Sequence, residues 1–169
     1  MTLPYQVISS EENPLLHTFG SACPDIEVYV YHFMTKMAGK DAEGNGLYSG
    51  GMWEFRKYPN GALMMVFPDT ETIIDPVTLN GNYVTCSLEA LSCAVWLIVL
   101  GMTSMELSNK KSSLAGVVGD QCHAGLDALC GEYCFKIEEG KSSDITEEEA
   151  AAMNPVKYKE ISAIISIID

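Results

Sequence analysis

The sequence predicts an α/β protein of the α+β type, a small antiparallel sheet with a central hairpin packed against several helices. Three observations carry this expectation. Apolar and charged residues alternate from Tyr48 to Lys57, and a continuously apolar run, Ala62 to Phe67, follows the turn residues Tyr58-Pro59-Asn60-Gly61; strand period around Asn-Gly is the strongest local hairpin signal. Apolar residues recur at helical spacing over residues 26–37, 118–135 and 156–168. Finally, 169 residues with 47% hydrophobic and 20% charged side chains suffice for one buried core, and neither repeat nor linker divides the chain, so one domain over 1–169 is expected.

Residues 1 to about 24 read as mostly irregular, because Pro4, Pro14 and Pro24 interrupt them and Glu11-Glu12-Asn13 is a polar surface patch. A helix then carries Ile26, Tyr29, Val30, Phe33, Met34 and Met37 on one face, with Ser21 or Asp25 as its cap and Gly39 at its end. The hairpin follows. Pro68 stops its second strand, and Thr72–Asp75 and Tyr83–Cys86, separated by Asn80-Gly81-Asn82, read as two short strands extending the same sheet. Ser87 is placed as an N-cap with Glu89 in the first turn, ahead of the apolar run Ala90 to Met102, a buried helix anchored by Trp96. Ser108 to Ser113 reads as a loop. Val118, Cys122, Leu126, Leu129, Cys130 and Phe135 trace another helix, weakened by Gly125 and Gly131. Thr146 with Glu149 forms a capping box for a short helix through Ala152, and Asn154-Pro155 opens a last helix bearing Val156, Tyr158, Ile161, Ile164, Ile165 and Ile168.

Charge and composition exclude several classes. A formal net charge of -13, from 23 acids against 10 bases, argues against binding nucleic acid by neutralising phosphates. The run 90–102 is too short to span a bilayer, and Met1-Thr2-Leu3-Pro4-Tyr5-Gln6 lacks a signal peptide's basic and apolar regions, so a cytosolic protein is expected, without a membrane partner. The six cysteines form no compact framework and are expected as free thiols.

The chemistry-bearing motifs are few. Gly44-Asn45-Gly46 and Gly50-Gly51 lack the downstream glycine, lysine and hydroxyl of a phosphate-binding loop. His123, Asp127, Cys130 and Cys134 fall on one helical face, but a rise of about 1.5 Å per residue sets the first and last about 16 Å apart, too far for one metal ion. Cys122-His123 are neighbours pointing in different directions, with no orienting carboxylate. No cofactor, metal site or catalytic residue is therefore expected. A thiol- or metal-dependent enzyme using Cys122, His123 or Cys130 stands as the weakest alternative.

Tyr48-Ser49-Gly50-Gly51-Met52-Trp53-Glu54-Phe55, then Pro59-Asn60-Gly61 and Phe67-Pro68, resembles the signature of the ArdB/KlcA-type antirestriction proteins, a Tyr-x-Gly-Gly-x-Trp-x-Phe strand turning through Asn-Gly into a strand that ends at proline. Phe19-Gly20, Gly81-Asn82 leading into Ser87-Leu88-Glu89-Ala90, and the closing Ile168-Asp169 extend the resemblance in order along most of the chain. Ala62-Leu63 replace a glycine and an aromatic that commonly follow the turn, and Glu89 lies where an aspartate is frequent. The resemblance implies an α/β domain encoded by plasmids, prophages or other mobile elements. Its implied role is to protect incoming DNA from type I restriction–modification enzymes in the bacterial cytoplasm, without catalysis, through contact with the enzyme or an associated host protein.

Within the hairpin, strand alternation puts Trp53 and Phe55 on the core side and Glu54 with Arg56 on the wetter side. Glu54, Arg56 and Asn60 are accordingly candidates for a partner-facing patch, and Asp169 is one by resemblance alone. Residues 138–149 carry six acids against Lys141, and read most simply as a solvated connection. The alternative is an acidic DNA-mimic module in which Glu138, Glu139, Glu147, Glu148 and Glu149 occupy a basic cleft. Duplex DNA carries one charge per about 1.7 Å, a row that these scattered acids do not reproduce.

Overall fold

A computed structural model describes residues 5–133 and 155–169. The chain begins with β1 (Gln6–Ile8), a 3-10 turn (Ser10–Glu12) and α1 (Pro14–Phe19), where sequence reading expected irregular structure. Asn13 adopts the left-handed conformation that turns the chain, and Pro14, whose fixed φ suits the first helical position, starts α1 and brings His17 into it. A second 3-10 turn, Gly20–Ala22, feeds directly into α2 (Cys23–Ala38). Neither Ser21 nor Asp25 caps α2: Ala22 stands at the cap without a side-chain bond, because the preceding turn already supplies helical backbone. Ile26, Val30, Met34 and Met37 are buried, while Tyr29 is exposed.

Strands β2 (Glu54–Lys57) and β3 (Leu63–Val66) form the expected hairpin, in the register Glu54↔Val66 to Lys57↔Leu63. β1 pairs with the other side of β2, making a three-stranded antiparallel sheet in the order β1-β2-β3. The turn closes with Gly61 N–H on Tyr58 O at 2.9 Å and Tyr58 N–H on Ala62 O at 2.9 Å, with Gly61 at φ 86°. All four β3 residues are buried.

Strands β4 (Ile73–Ile74) and β5 (Cys86–Ser87) form a separate two-stranded sheet rather than extending the first. The reason lies at the outer edge of β3. There the Leu63 N–H is taken by Gln121 Oε1 at 2.9 Å and the Phe67 N–H by Ser92 Oγ at 2.9 Å, so helix side chains close the edge that a fourth strand would need.

Helix α3 (Leu88–Asn109) is the centre of the molecule, in contact with α2, β3, α4 (Leu114–Tyr133) and α5 (Pro155–Ile168). Ser87 caps it as expected, accepting from Ala90 N–H at 3.1 Å, and Leu88 and Glu89 N–H groups reach Thr72 O and Asp69 O. The helix is longer than its apolar run: it continues through Ser108 to Asn109, and its 22 residues are long and apolar enough to cross a membrane. However, 72% of an apolar 18-residue window within it lies inside the protein, which is the setting of a core helix. Trp96 is fully buried, its ring edge-on to Phe19 at 5.7 Å.

Gly125, one of the two glycines that weakened the α4 expectation, serves packing. A Cβ on Gly125 would sit 3.0 Å from Leu97 Cδ2, so its absence lets α4 lie close against α3. On α5, Ile161, Ile164 and Ile167 are buried but Ile165 is exposed. The Asn80-Gly81-Asn82 turn ends this helix from a distance: Asn80 and Asn82 side-chain amides each donate to Ser166 O at 2.9 Å, satisfying a terminal carbonyl. The capping box at Thr146–Glu149 and the cap at Asn154 lie outside the described residues.

Candidate functional site

Residues 48–53 loop back over the end of β3 and build an aromatic cluster. Tyr48 and Phe67 meet edge-to-face at 5.2 Å, Trp53 lies 5.5 Å from Phe67 and 5.9 Å from Tyr48, and Tyr31 of α2 meets Trp53 at 5.7 Å. These separations and tilts suit the aromatic quadrupole. The Trp53 indole N–H donates to the Tyr48 hydroxyl at 2.9 Å. The backbone at Gly51, at φ 151°, approaches the Phe67 ring so closely that a Cβ there would fall 2.7 Å from Cε2. Trp53 is therefore not simply a core residue: it is half-buried and forms a wall.

The wall borders a groove of 340 Å³ lined by Leu16, Glu27, Tyr31, Met52, Trp53 and Phe55, among others, with Met65 beneath. Met52 is 87% exposed and Leu16 is 55% exposed. The Tyr31 hydroxyl donates to Glu27 Oε1 at 3.3 Å. Burial and the neighbouring Glu27 carboxylate push the Tyr31 phenol up to about 12, so it remains a protonated donor at neutral pH.

Arg56 is buried, which corrects the expectation that it shares a wet face with Glu54. The strand alternates as expected, but both sides are covered, and the side bearing Arg56 meets α3. Arg56 forms ion pairs with Glu89 at 3.2 Å and Glu54 at 3.0 Å, and its guanidinium lies 4.5 Å over the Tyr5 ring. Burial works against its charge, yet hydrogen bonding and attraction to Glu89 outweigh that and raise its pKa. Glu54 keeps a half-exposed carboxylate.

Asn60 is exposed but occupied. Its amide donates to Ala124 O at 2.9 Å and its oxygen accepts from Ala62 N–H at 3.1 Å. Gln121, which sequence reading missed, accepts from Leu63 N–H and donates to Gly61 O. Together they clamp the hairpin turn to α4; the polar Asn-Gly turn gave a local reason for Asn60 but no pointer to its distant partner. Asn60→Ala is expected to lower the unfolding free energy by about 1 kcal/mol, and Gln121→Ala by about 2 kcal/mol because it leaves the Leu63 N–H without its acceptor. Urea titration measures both, and a Gln121→Ala loss smaller than that of Asn60→Ala would refute the clamp.

Asp169 lies at the rim of a separate, mainly apolar groove of 480 Å³ between α3, α4 and the end of α5, beside Met102, Met105 and Leu79. The structure thus keeps Asp169 apart from the hairpin groove: the two share no lining residue. Glu138, Glu139, Glu147, Glu148 and Glu149 lie outside the described residues.

The five described cysteines are thiols. Burial, with Asp75 and Glu160, pushes Cys86 up to about 11, and burial also raises Cys122, opposite to the thiolate character a nucleophile needs. Cys122 Sγ is 3.4 Å from Leu97 O, whereas His123 beside it is exposed. Among the described residues no three His, Cys, Asp or Glu side chains gather as metal ligands do.

Fold and site define an α+β protein that carries an aromatic-walled groove beside a glycine-tryptophan hairpin. No protein-family model and no curated protein matches the sequence. Among solved structures, the chain is similar at a TM-score of 0.61 and 20% identity, covering 95% of this chain and 97% of the other, to one from work on the KlcA and ArdB proteins. That work describes a novel fold, with antirestriction activity against Type I DNA restriction systems in vivo but not in vitro. The likeness establishes the fold, and it falls on the same family that the hairpin residues resemble.

Proposed function

We propose that this is an antirestriction protein that protects incoming mobile DNA from type I restriction–modification enzymes through non-catalytic macromolecular contacts in the bacterial cytoplasm. The observation that carries this reading is the fold likeness to the KlcA and ArdB proteins over 95% of the chain, reached independently of the Tyr48–Phe55 signature. The neighbour's activity in vivo but not in vitro favours contact with an associated host protein over direct contact with the restriction enzyme alone. The raised thiols fit the absence of catalysis in this proposal. Contact residues are drawn from Glu54, Glu138, Glu139, Glu147, Glu148, Glu149 and Asp169. Arg56 and Asn60 support the surface by holding the hairpin.

The decisive measurement is the plating efficiency of unmodified phage on a host with an active type I system, with and without this gene. The gene is expected to raise plating toward that of a host lacking the system. Equal plating in both strains refutes the proposal. With partner components in hand, binding that weakens steeply with salt and with neutralisation of the five glutamates would instead identify a DNA-mimic mode.

A further inference from the structure

We propose that the hairpin groove is a docking site for an arginine side chain presented by an extended segment of a partner protein. The inference deepens the proposed function and rests on it only for the partner's identity. Four features point to this occupant.

The volume of 340 Å³ is at the small end of ligand sites, which run from roughly 300 to 1,000 Å³, and suits one long side chain with its flanking backbone. Its walls, Trp53 and Tyr31, are aromatic rings set edge-to-face, and ring faces attract a guanidinium. Leu16 and Met52 are large apolar side chains left exposed at the groove, suited to the aliphatic stem of arginine and to an apolar neighbour, with Met able to adapt its shape. Among the described residues the lining includes one carboxylate, Glu27, and no cation. On a chain of net charge -13, a basic segment is drawn in and an acidic one repelled.

The protein already holds one guanidinium in this way. Arg56 rests 4.5 Å over the Tyr5 ring while Glu54 and Glu89 take its N–H groups. In the groove, Trp53 and Tyr31 would supply the ring and Glu27 the carboxylate, with no cation among the described residues that line it. Tyr31 stays protonated and donates to Glu27, which leaves the second carboxylate oxygen for the incoming guanidinium. Arginine is preferred over lysine because a planar guanidinium can stack on a ring and bond a carboxylate at once.

The test uses the full chain and a capped pentapeptide with arginine at its centre and leucine and glycine on either side, compared with the same peptide bearing citrulline, its neutral isostere. Calorimetry gives affinity, and the Trp53 indole and Gly51 amide NMR signals report the place. The arginine peptide is expected to shift both signals saturably and to bind about tenfold more tightly than the citrulline peptide. Glu27→Gln should erase most of that difference. Met52→Lys, at an exposed position where folding is not at risk, should weaken the arginine peptide by a similar factor. Equal binding of the two peptides, shifts confined to another surface, or an unchanged preference in Glu27→Gln would overturn the proposal. So would finding that a second copy of the chain, or duplex DNA, moves these signals while the peptide does not. Because the titration contains no restriction system, its failure beside intact protection in cells condemns the groove alone. Peptide binding without protection condemns the proposed function alone.

Discussion

Arg56→Met is expected to lower the unfolding free energy by about 3 kcal/mol, because removing one partner of a buried ion pair leaves the other's charge uncompensated. The strandedness of β2 places the guanidinium between two carboxylates, and the Glu89 side chain, only 12% exposed, cannot recover its hydration where it stands. Glu89 also lies in the first turn of α3, where the helix dipole favours its charge, so the loss falls short of the largest values known for such pairs. A double variant, Arg56→Met with Glu89→Met, should recover more than half of the loss, since apolar residues of similar volume replace buried ion pairs at little cost. Urea unfolding of the parent, both single variants and the double variant measures this. A loss below about 1 kcal/mol in Arg56→Met would show that the pair is screened and contributes only what surface bridges do.

Gly51→Ala is expected to cost about 2 kcal/mol, and to do so through two separable causes. The backbone at φ 151° lies where side chains are disfavoured. The added Cβ would also meet Phe67 at 2.7 Å, and Phe67 is held between Tyr48 and Trp53, so it cannot retreat without disturbing both. Gly50→Ala separates the causes. Gly50 has φ 92° with nothing within 4 Å of a Cβ, so it incurs backbone strain alone and should cost about 1 kcal/mol less. Equal losses in the two variants would show that the Phe67 contact contributes nothing. A changed environment at the Trp53 indole in Gly51→Ala, and not in Gly50→Ala, would place the damage at the groove wall.

The elements legible in the sequence are those whose causes are local. Asn60-Gly61 specified the hairpin turn, Ser87 the start of α3, and the spacing of Ile26, Val30, Met34 and Met37 the buried face of α2. What escaped depends on partners far along the chain. Arg56 looks like an exposed strand residue until α3 brings Glu89 beneath it, and an outward alternation says nothing of a second layer. Gly119 and Gly125 count against a helix by propensity, yet they stand where α4 approaches α3, with Cβ positions 2.9 Å from Ser104 Oγ and 3.0 Å from Leu97 Cδ2. Strand β4 lies within the expected Thr72–Asp75, whereas β5 shares only Cys86 with the expected Tyr83–Cys86, and their separate sheet was not legible, because Gln121 and Ser92 decide which edge is open. The groove was equally hidden: Trp53 and Gly51 belong to the signature, whereas Glu27 and Tyr31 come from α2 and Leu16 from α1, and only the fold assembles them.

The burial of α3 has a consequence during synthesis. By length and composition alone this helix is apolar enough to cross a membrane, and two of the helices that cover it, α4 and α5, follow in the chain. A ribosome therefore delivers a long apolar segment before its protein-made shelter exists. The final isoleucine-rich helix completes that shelter, so a chain truncated before Pro155 should partition to lipid or aggregate rather than wait half-folded in water.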